Sequence, residues 1–164
     1  AGSNQQRNTA NMTEGSWYHV CLTRSGNFNN MSYVDGVETN YGALDLPPTI
    51  QDATDDFFVG KTINGQGHTD FNGSLAHLAY WNEVLSAAEI ASLADKSTCP
   101  LFLSGKAPDV FLEFPESGAI VDTSANAFTV TQEGNPTQVS GPSSLPSCST
   151  GPSMMLKLHA IGEN

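Results

Sequence analysis

The sequence predicts an all-β fold, an antiparallel jelly-roll-type β-sandwich with one short helix. Three observations carry the expectation. Residues 17–24 (Trp-Tyr-His-Val-Cys-Leu-Thr-Arg) alternate in two sets that both contain apolar residues, as an inner strand packed on both faces does. Asp35-Gly36 lies between the β-prone runs 31–34 and 37–39, and this dipeptide is the strongest short hairpin signal, since both central residues of a type I′ turn need positive φ. A helical start occurs once, where Ser86 precedes Ala87-Ala88-Glu89-Ile90 with the acid three residues after the cap.

The remaining elements follow in order. Asn27 to Asn30 makes a polar turn before the hairpin. Residues 41–56 read as a loop, because Pro47-Pro48 forbids regular pairing and Asp52, Asp55 and Asp56 crowd acid charge together. Phe57-Phe58-Val59-Gly60 is a short apolar strand, and residues 61–70 a further loop carrying Gly65 and Gly67. Residues 71–81 form a central strand with Leu75, His77, Ala79 and Trp81 on one face and Ala76, Leu78 and Tyr80 on the other. A short helix runs from Ser86 to Asp95, with Leu85, Ile90 and Leu93 as its apolar contacts. Strands are expected again at 110–114, 127–131 and 154–160, with the Pro-, Ser- and Gly-dense 134–152 as linker or surface loop. The expected core is Trp17, Val20, Leu22, Val34, Phe58, Leu75, Leu78 and Trp81.

Size and charge set outer bounds. At 164 residues the chain is one domain, or one domain plus part of another. It divides into a polar segment 1–16, a main unit 17–96 and a C-terminal segment 97–164. Six Lys/Arg against seventeen Asp/Glu give a net charge of −11. Such a surface repels phosphate backbones and anionic bilayers, so nucleic acid and membrane surfaces are not expected partners. No run approaches eighteen apolar residues, so no membrane-inserted helix is expected. The N-terminus lacks both an initiator Met and a hydrophobic signal core, and reads as a processed product, an excised fragment or a partly traced polypeptide.

Three cysteines cannot all pair within one chain. Cys21 lies in an apolar strand and reads as a buried thiol, while Cys99 and Cys148 sit in turn-like contexts and are expected to form a disulfide, which implies an oxidising compartment. Their spacing fits no zinc motif.

Five pieces in order carry a resemblance to a known family. They are Trp17-Tyr18-His19-Val20-Cys21-Leu22-Thr23, Tyr33-Val34-Asp35-Gly36, Val59-Gly60, Phe71-Asn72-Gly73-Ser74-Leu75, and the stretch 80–90 from Tyr80-Trp81 to Glu89-Ile90. Together they resemble the back half of a laminin-G-like domain of the concanavalin-A-like superfamily, over residues 15 to 95. The family's strand bearing an Ile-Asp-Glu triplet is Leu75-Ala76-His77 here, so any role of that acidic pair is absent. Such domains carry several strands before the Trp-x-His-Val strand, where this chain has sixteen residues. Residues 109–131 look like those opening strands. They either return to complete the first sandwich, with Phe111, Phe114 and Phe128 filling its core, or begin a second unit.

The superfamily includes glucanases, whose active strand places three carboxylates on one face so that acid and nucleophile sit ~5 Å apart. No such strand exists here: Glu113 and Glu116 straddle Pro115, and Glu38 stands alone in the hairpin. His19, His68, His77 and His159 have no Gly-x-Ser-x-Gly elbow to serve, with His19 and His77 read as packed strand residues. The chain is therefore read as no enzyme. Calcium is the metal to consider, because relatives bind it at the sandwich rim and the ion takes six to eight oxygens. Asp52, Asp55 and Asp56, with Asp70, can supply carboxylates, against the alternative of a solvated acidic loop.

Glycan binding needs an aromatic platform beside amides and carboxylates. Tyr41, Asn64 and Asn72 are the candidates, Phe71 and Trp81 being read as core. Sequons begin at Asn11, Asn30 and Asn72 and matter only in a eukaryotic secretory pathway. Two functions remain. One is a surface recognition or adhesion module, lectin-like, holding a glycan or protein ligand. The other is a structural decoration, fibre or sheath subunit bound to other subunits of an assembly. Either places the chain outside the cell, at a cell surface or on a virion.

Overall fold

The computed structural model describes residues 12–25, 29–39, 59–60, 71–96, 98–115, 118–132, 137–142, 148 and 156–159. Within them the chain is built of antiparallel strands with a single α-helix. The strands are β1 (Val20–Ser25), β2 (Asn29–Val34), β3 (Val37–Glu38), β4 (Leu78–Tyr80), β5 (Val110–Glu113), β6 (Val121–Asp122), β7 (Thr137–Ser140) and β8 (Leu156–His159). Helix α1 (Ala87–Ala94) follows β4, and a 3₁₀ turn occupies Pro100–Phe102. Three ladders result, in the orders β1-β2-β3, β4-β5-β6 and β7-β8.

The first ladder is the expected hairpin. Val34 pairs with Val37 across Asp35 (φ 48°) and Gly36 (φ 76°), the two positive-φ residues of a type I′ turn. Cys21 lies opposite Tyr33 and Thr23 opposite Met31, so these residues share a face. Helix α1 covers it: Tyr33, Leu85, Ile90, Leu93 and Leu103 form one buried cluster, with Cys21, Met31 and Trp81 packed against it. The helix starts where its capping box predicts. Ser86 Oγ accepts from the Glu89 N–H, and the Glu89 carboxylate accepts from the Ser86 N–H.

Several expectations need correction. Val20 and Leu22 are exposed (48% and 67%), because α1 packs on the opposite face of β1. Trp17, Val34, Leu75, Leu78 and Trp81 are half-buried, and Phe58 lies outside the described residues. The expected strand at 71–81 forms a ladder only over Leu78–Tyr80: His77 has φ 49°, which breaks the pleat, and Tyr80 is exposed. No ladder forms at 127–131, and Phe128 is 57% exposed. Part of the supposed linker pairs as β7 with β8.

The second ladder joins distant parts of the chain. Leu78 pairs with Leu112, Ala79 with Phe111 and Tyr80 with Val110. Phe111 is fully buried and Phe114 nearly so. One apolar cluster gathers Phe111, Cys99 and Cys148 with Ala79 and Leu101; another gathers Leu112 and Phe114 with Leu75, Leu78, Val110, Ile120 and Val130. Cys99 and Cys148 are bonded as a disulfide across 49 residues.

Candidate functional site

Two places are candidates. The first is the loop rim that the sequence nominates. Of the residues proposed there, Tyr41, Asp52, Asp55, Asp56, Asn64 and Asp70 lie outside the described residues, and Asn72 is exposed. Two flanking groups are visible. The Phe71 N–H donates to the Gly60 carbonyl at 3.0 Å. Phe71 is 45% exposed, and its ring curls over Gly73. The reading of Phe71 as core is therefore corrected: its side chain folds back over Gly73, two residues on, instead of entering a cluster. The absence of a Cβ at Gly73 permits this, since an added Cβ would sit 2.7 Å from the ring's Cζ. Trp81 is no platform. It packs on the α1 cluster while its indole N–H donates to the Lys106 carbonyl at 3.2 Å.

The second place is the buried side of β4 and β5. His77 stands one position beyond the last ladder pair, where the register continues to Glu113. One ligand atom from each of His77, Glu113 and Cys148 lies within 4.8 Å of the others. The His77 ring meets Phe111 edge to face at 5.3 Å. Burial pushes the His77 imidazole down to about 4, so it is neutral at neutral pH. Burial raises the Glu113 carboxyl, whose Oε1 is buried without a hydrogen-bond partner. Sequence spacing misses this group because its members come from separate elements. The available signal was the pairing of two apolar strands, each carrying one inward polar residue.

His19 is tied structurally. Its N–H donates to Asp35 Oδ1 at 2.8 Å, and its carbonyl accepts from the Asp35 N–H at 2.8 Å. Burial depresses its imidazole, partly opposed by the Asp35 charge. Burial likewise pushes the Cys21 thiol up to about 11, so it is protonated at neutral pH. Among the described residues no helix is long and apolar enough to cross a membrane.

A family model of the concanavalin A-like lectin/glucanases superfamily, of the laminin G type, matches residues 1–91. No curated relative matches the chain, and no solved structure does.

Proposed function

Because the chain belongs to the concanavalin A-like lectin/glucanases superfamily, we propose that it is a non-catalytic surface recognition or adhesion module that holds a glycan or protein ligand at its loop rim. The family supports a lectin-like or adhesive role in general, its laminin G-like members being typically extracellular and without catalysis. The observation that supports the finer reading is the exposed Phe71 ring, adjacent in the chain to the exposed Asn72, with the Phe71 N–H anchored on the Gly60 carbonyl. An aromatic face beside an amide is the pairing that sugar rings use. In this proposal Tyr41 and Asn64 contribute further ligand contacts, and Asp52, Asp55, Asp56 and Asp70 supply carboxylate oxygens to a calcium ion.

A glycan array read with and without chelator tests the ligand. Binding that Phe71→Ala and Asn72→Ala each reduce supports the rim. Undiminished binding in both variants overturns it. Calcium has its own measurement, since an ion bound by the folded state alone raises the melting temperature. Millimolar Ca²⁺ should raise it in the parent chain and not in an Asp55→Ala/Asp56→Ala variant. No rise in the parent leaves the acids as solubilising charge.

A structural subunit of a cell-surface or virion assembly is the second reading. Exposed Val20, Leu22 and Val37 on the first ladder favour it. Light scattering that shows a stable oligomer, dissolved by Leu22→Ser, would favour it over the first.

A further inference from the structure

The joint between β4, β5 and the disulfide holds more chemistry than packing requires. Two strands, one turn and one remote segment converge there: His77 precedes β4, Glu113 ends β5, Cys99 precedes the 3₁₀ turn, and Cys148 returns from beyond β7. The side chains are an imidazole, a carboxylate and two sulfurs, three of them with ligand atoms mutually within 4.8 Å. The fourth, Cys99, is bonded to one of those three. The Cys99 and Cys148 Cα atoms are 5.4 Å apart, and both residues are buried.

A buried polar atom left without a hydrogen bond is unfavourable, because nothing replaces the hydration it has lost. Glu113 Oε1 is such an atom. His77 is held at a backbone conformation that non-glycine residues seldom adopt. A tetrahedral ion with Zn–S of about 2.3 Å and Zn–N or Zn–O of about 2.0–2.1 Å sets its ligand atoms roughly 3.3–3.8 Å apart. The His77, Glu113 and Cys148 ligand atoms, within 4.8 Å of one another, are about 1 Å from that spacing. The two sulfurs meet it once their bond is broken.

We propose that, with the disulfide open, Cys99, Cys148, His77 and Glu113 hold one Zn²⁺, so that metal and disulfide are alternative closures of the same joint. The balance is simple. A dithiol reductant gives two electrons and two protons to the Cys99–Cys148 bond, leaving two thiols and a cyclic disulfide of the reductant. Each thiol then loses its proton to buffer as it binds the ion, His77 offers a neutral ring nitrogen, and Glu113 offers its carboxylate. A chain made in a reducing compartment meets the metal before the oxidant. Zinc then closes the joint until a disulfide-bearing oxidant takes two electrons from the two thiolates, becoming a dithiol as the Cys99–Cys148 bond re-forms and the ion leaves. Zn²⁺ fits this donor set because it takes S, N and O ligands together in a four-coordinate tetrahedral site.

The test uses the full chain purified without oxygen under a dithiol, with three free thiols verified after denaturation. Co²⁺ is added first as a coloured stand-in, then Zn²⁺. The reduced chain should give the visible absorption of tetrahedral Co²⁺ and thiolate-to-cobalt charge transfer at one ion per chain, both removed by Zn²⁺. The oxidised chain should give neither. His77→Ala and Glu113→Gln should each weaken Zn²⁺ binding by about tenfold or more, while Cys21→Ser leaves it unchanged. If the His77→Ala circular dichroism departs from the parent's, the near-isosteric Glu113→Gln decides alone. The proposal fails if the reduced chain shows no charge transfer, if Glu113→Gln binds like the parent, or if the oxidised chain binds equally well.

Discussion

Gly36 answers two demands at one position. Its φ of 76° closes the hairpin, and an added Cβ would stand 3.1 Å from Ala94 Cβ and 3.2 Å from Ala91 Cα. The tip of the first ladder therefore rests on the last turn of α1, and the contact on the Ala91 side is backbone, which cannot swing away. Gly105 has the same kind of backbone (φ 74°) with nothing within 4 Å of an added Cβ. Gly105→Ala should thus cost only the left-handed strain, about 1–2 kcal/mol. Gly36→Ala should cost more, about 2–4 kcal/mol in all, because overpacking adds to strain. Equal losses for the two in chemical denaturation would mean that the hairpin and helix do not touch closely. The asymmetry in what the sequence revealed is visible at this same scale. Asp35-Gly36 and Ser86-x-x-Glu89 declare themselves because their physics is local, a dihedral requirement and a cap. The exposure of Val20, Leu22, Phe71 and Phe128 does not, since burial depends on which element lies across from a residue, and alternation alone is silent on that.

At the scale of elements, the turn after β6 is organised by one carboxylate. Asp122 Oδ1 accepts from the N–H groups of Phe111 and Ser124, each at 2.9 Å. Its Oδ2 accepts from the Ser124 hydroxyl at 3.0 Å and the Phe128 N–H at 2.9 Å. Burial works to raise the Asp122 carboxyl, but the hydrogen bonds from Phe111, Ser124 and Phe128 outweigh it and hold the group below its ordinary 3.8. A depressed folded value means that the unfolded chain binds the proton more readily. The stabilisation is therefore fully present above pH 3.8 and is lost as pH falls through the lower folded value. Asp122→Ala strands three backbone donors and should cost about 3 kcal/mol at neutral pH, a penalty that shrinks on acidification below about pH 4. A penalty independent of pH would show that Asp122 acts by shape and not by charge. The sequence reading places residues 122–126 only within the opening strands of 109–131. It had no access to the Phe111 partner, which arrives through the β5–β6 pairing. The His77–Glu113–Cys148 group was hidden for the same reason, since it exists only once the β4–β5 register is known.

At the scale of the molecule, the question is whether residues 97–164 belong to the unit that precedes them. The first ladder and α1 do not close on themselves. Leu103 completes the cluster beneath α1. Lys106 accepts the Trp81 indole on its carbonyl, and its ammonium reaches Glu89 at 3.3 Å and Glu83 at 3.4 Å. Asp109 Oδ2 accepts from the Asn82 N–H at 2.7 Å. The Ala79–Phe111 and Leu78–Leu112 pairs put β5 directly on β4. A chain ending at Lys96 loses all of these at once. It also loses the burial of Leu103, Phe111, Leu112 and Phe114, which at about 1.5–3 kcal/mol per side chain amounts to roughly 6–12 kcal/mol. That sum is comparable with the whole stability of an ordinary domain, about 5–15 kcal/mol. It also bares the β4 edge and one flank of the α1 cluster, surfaces that invite association. The shortened chain is therefore expected to aggregate or to unfold without a cooperative transition, while the full chain melts as one unit. A soluble, monomeric, cooperatively folding 1–96 fragment would instead establish the C-terminal segment as an independent unit docked on a self-sufficient one.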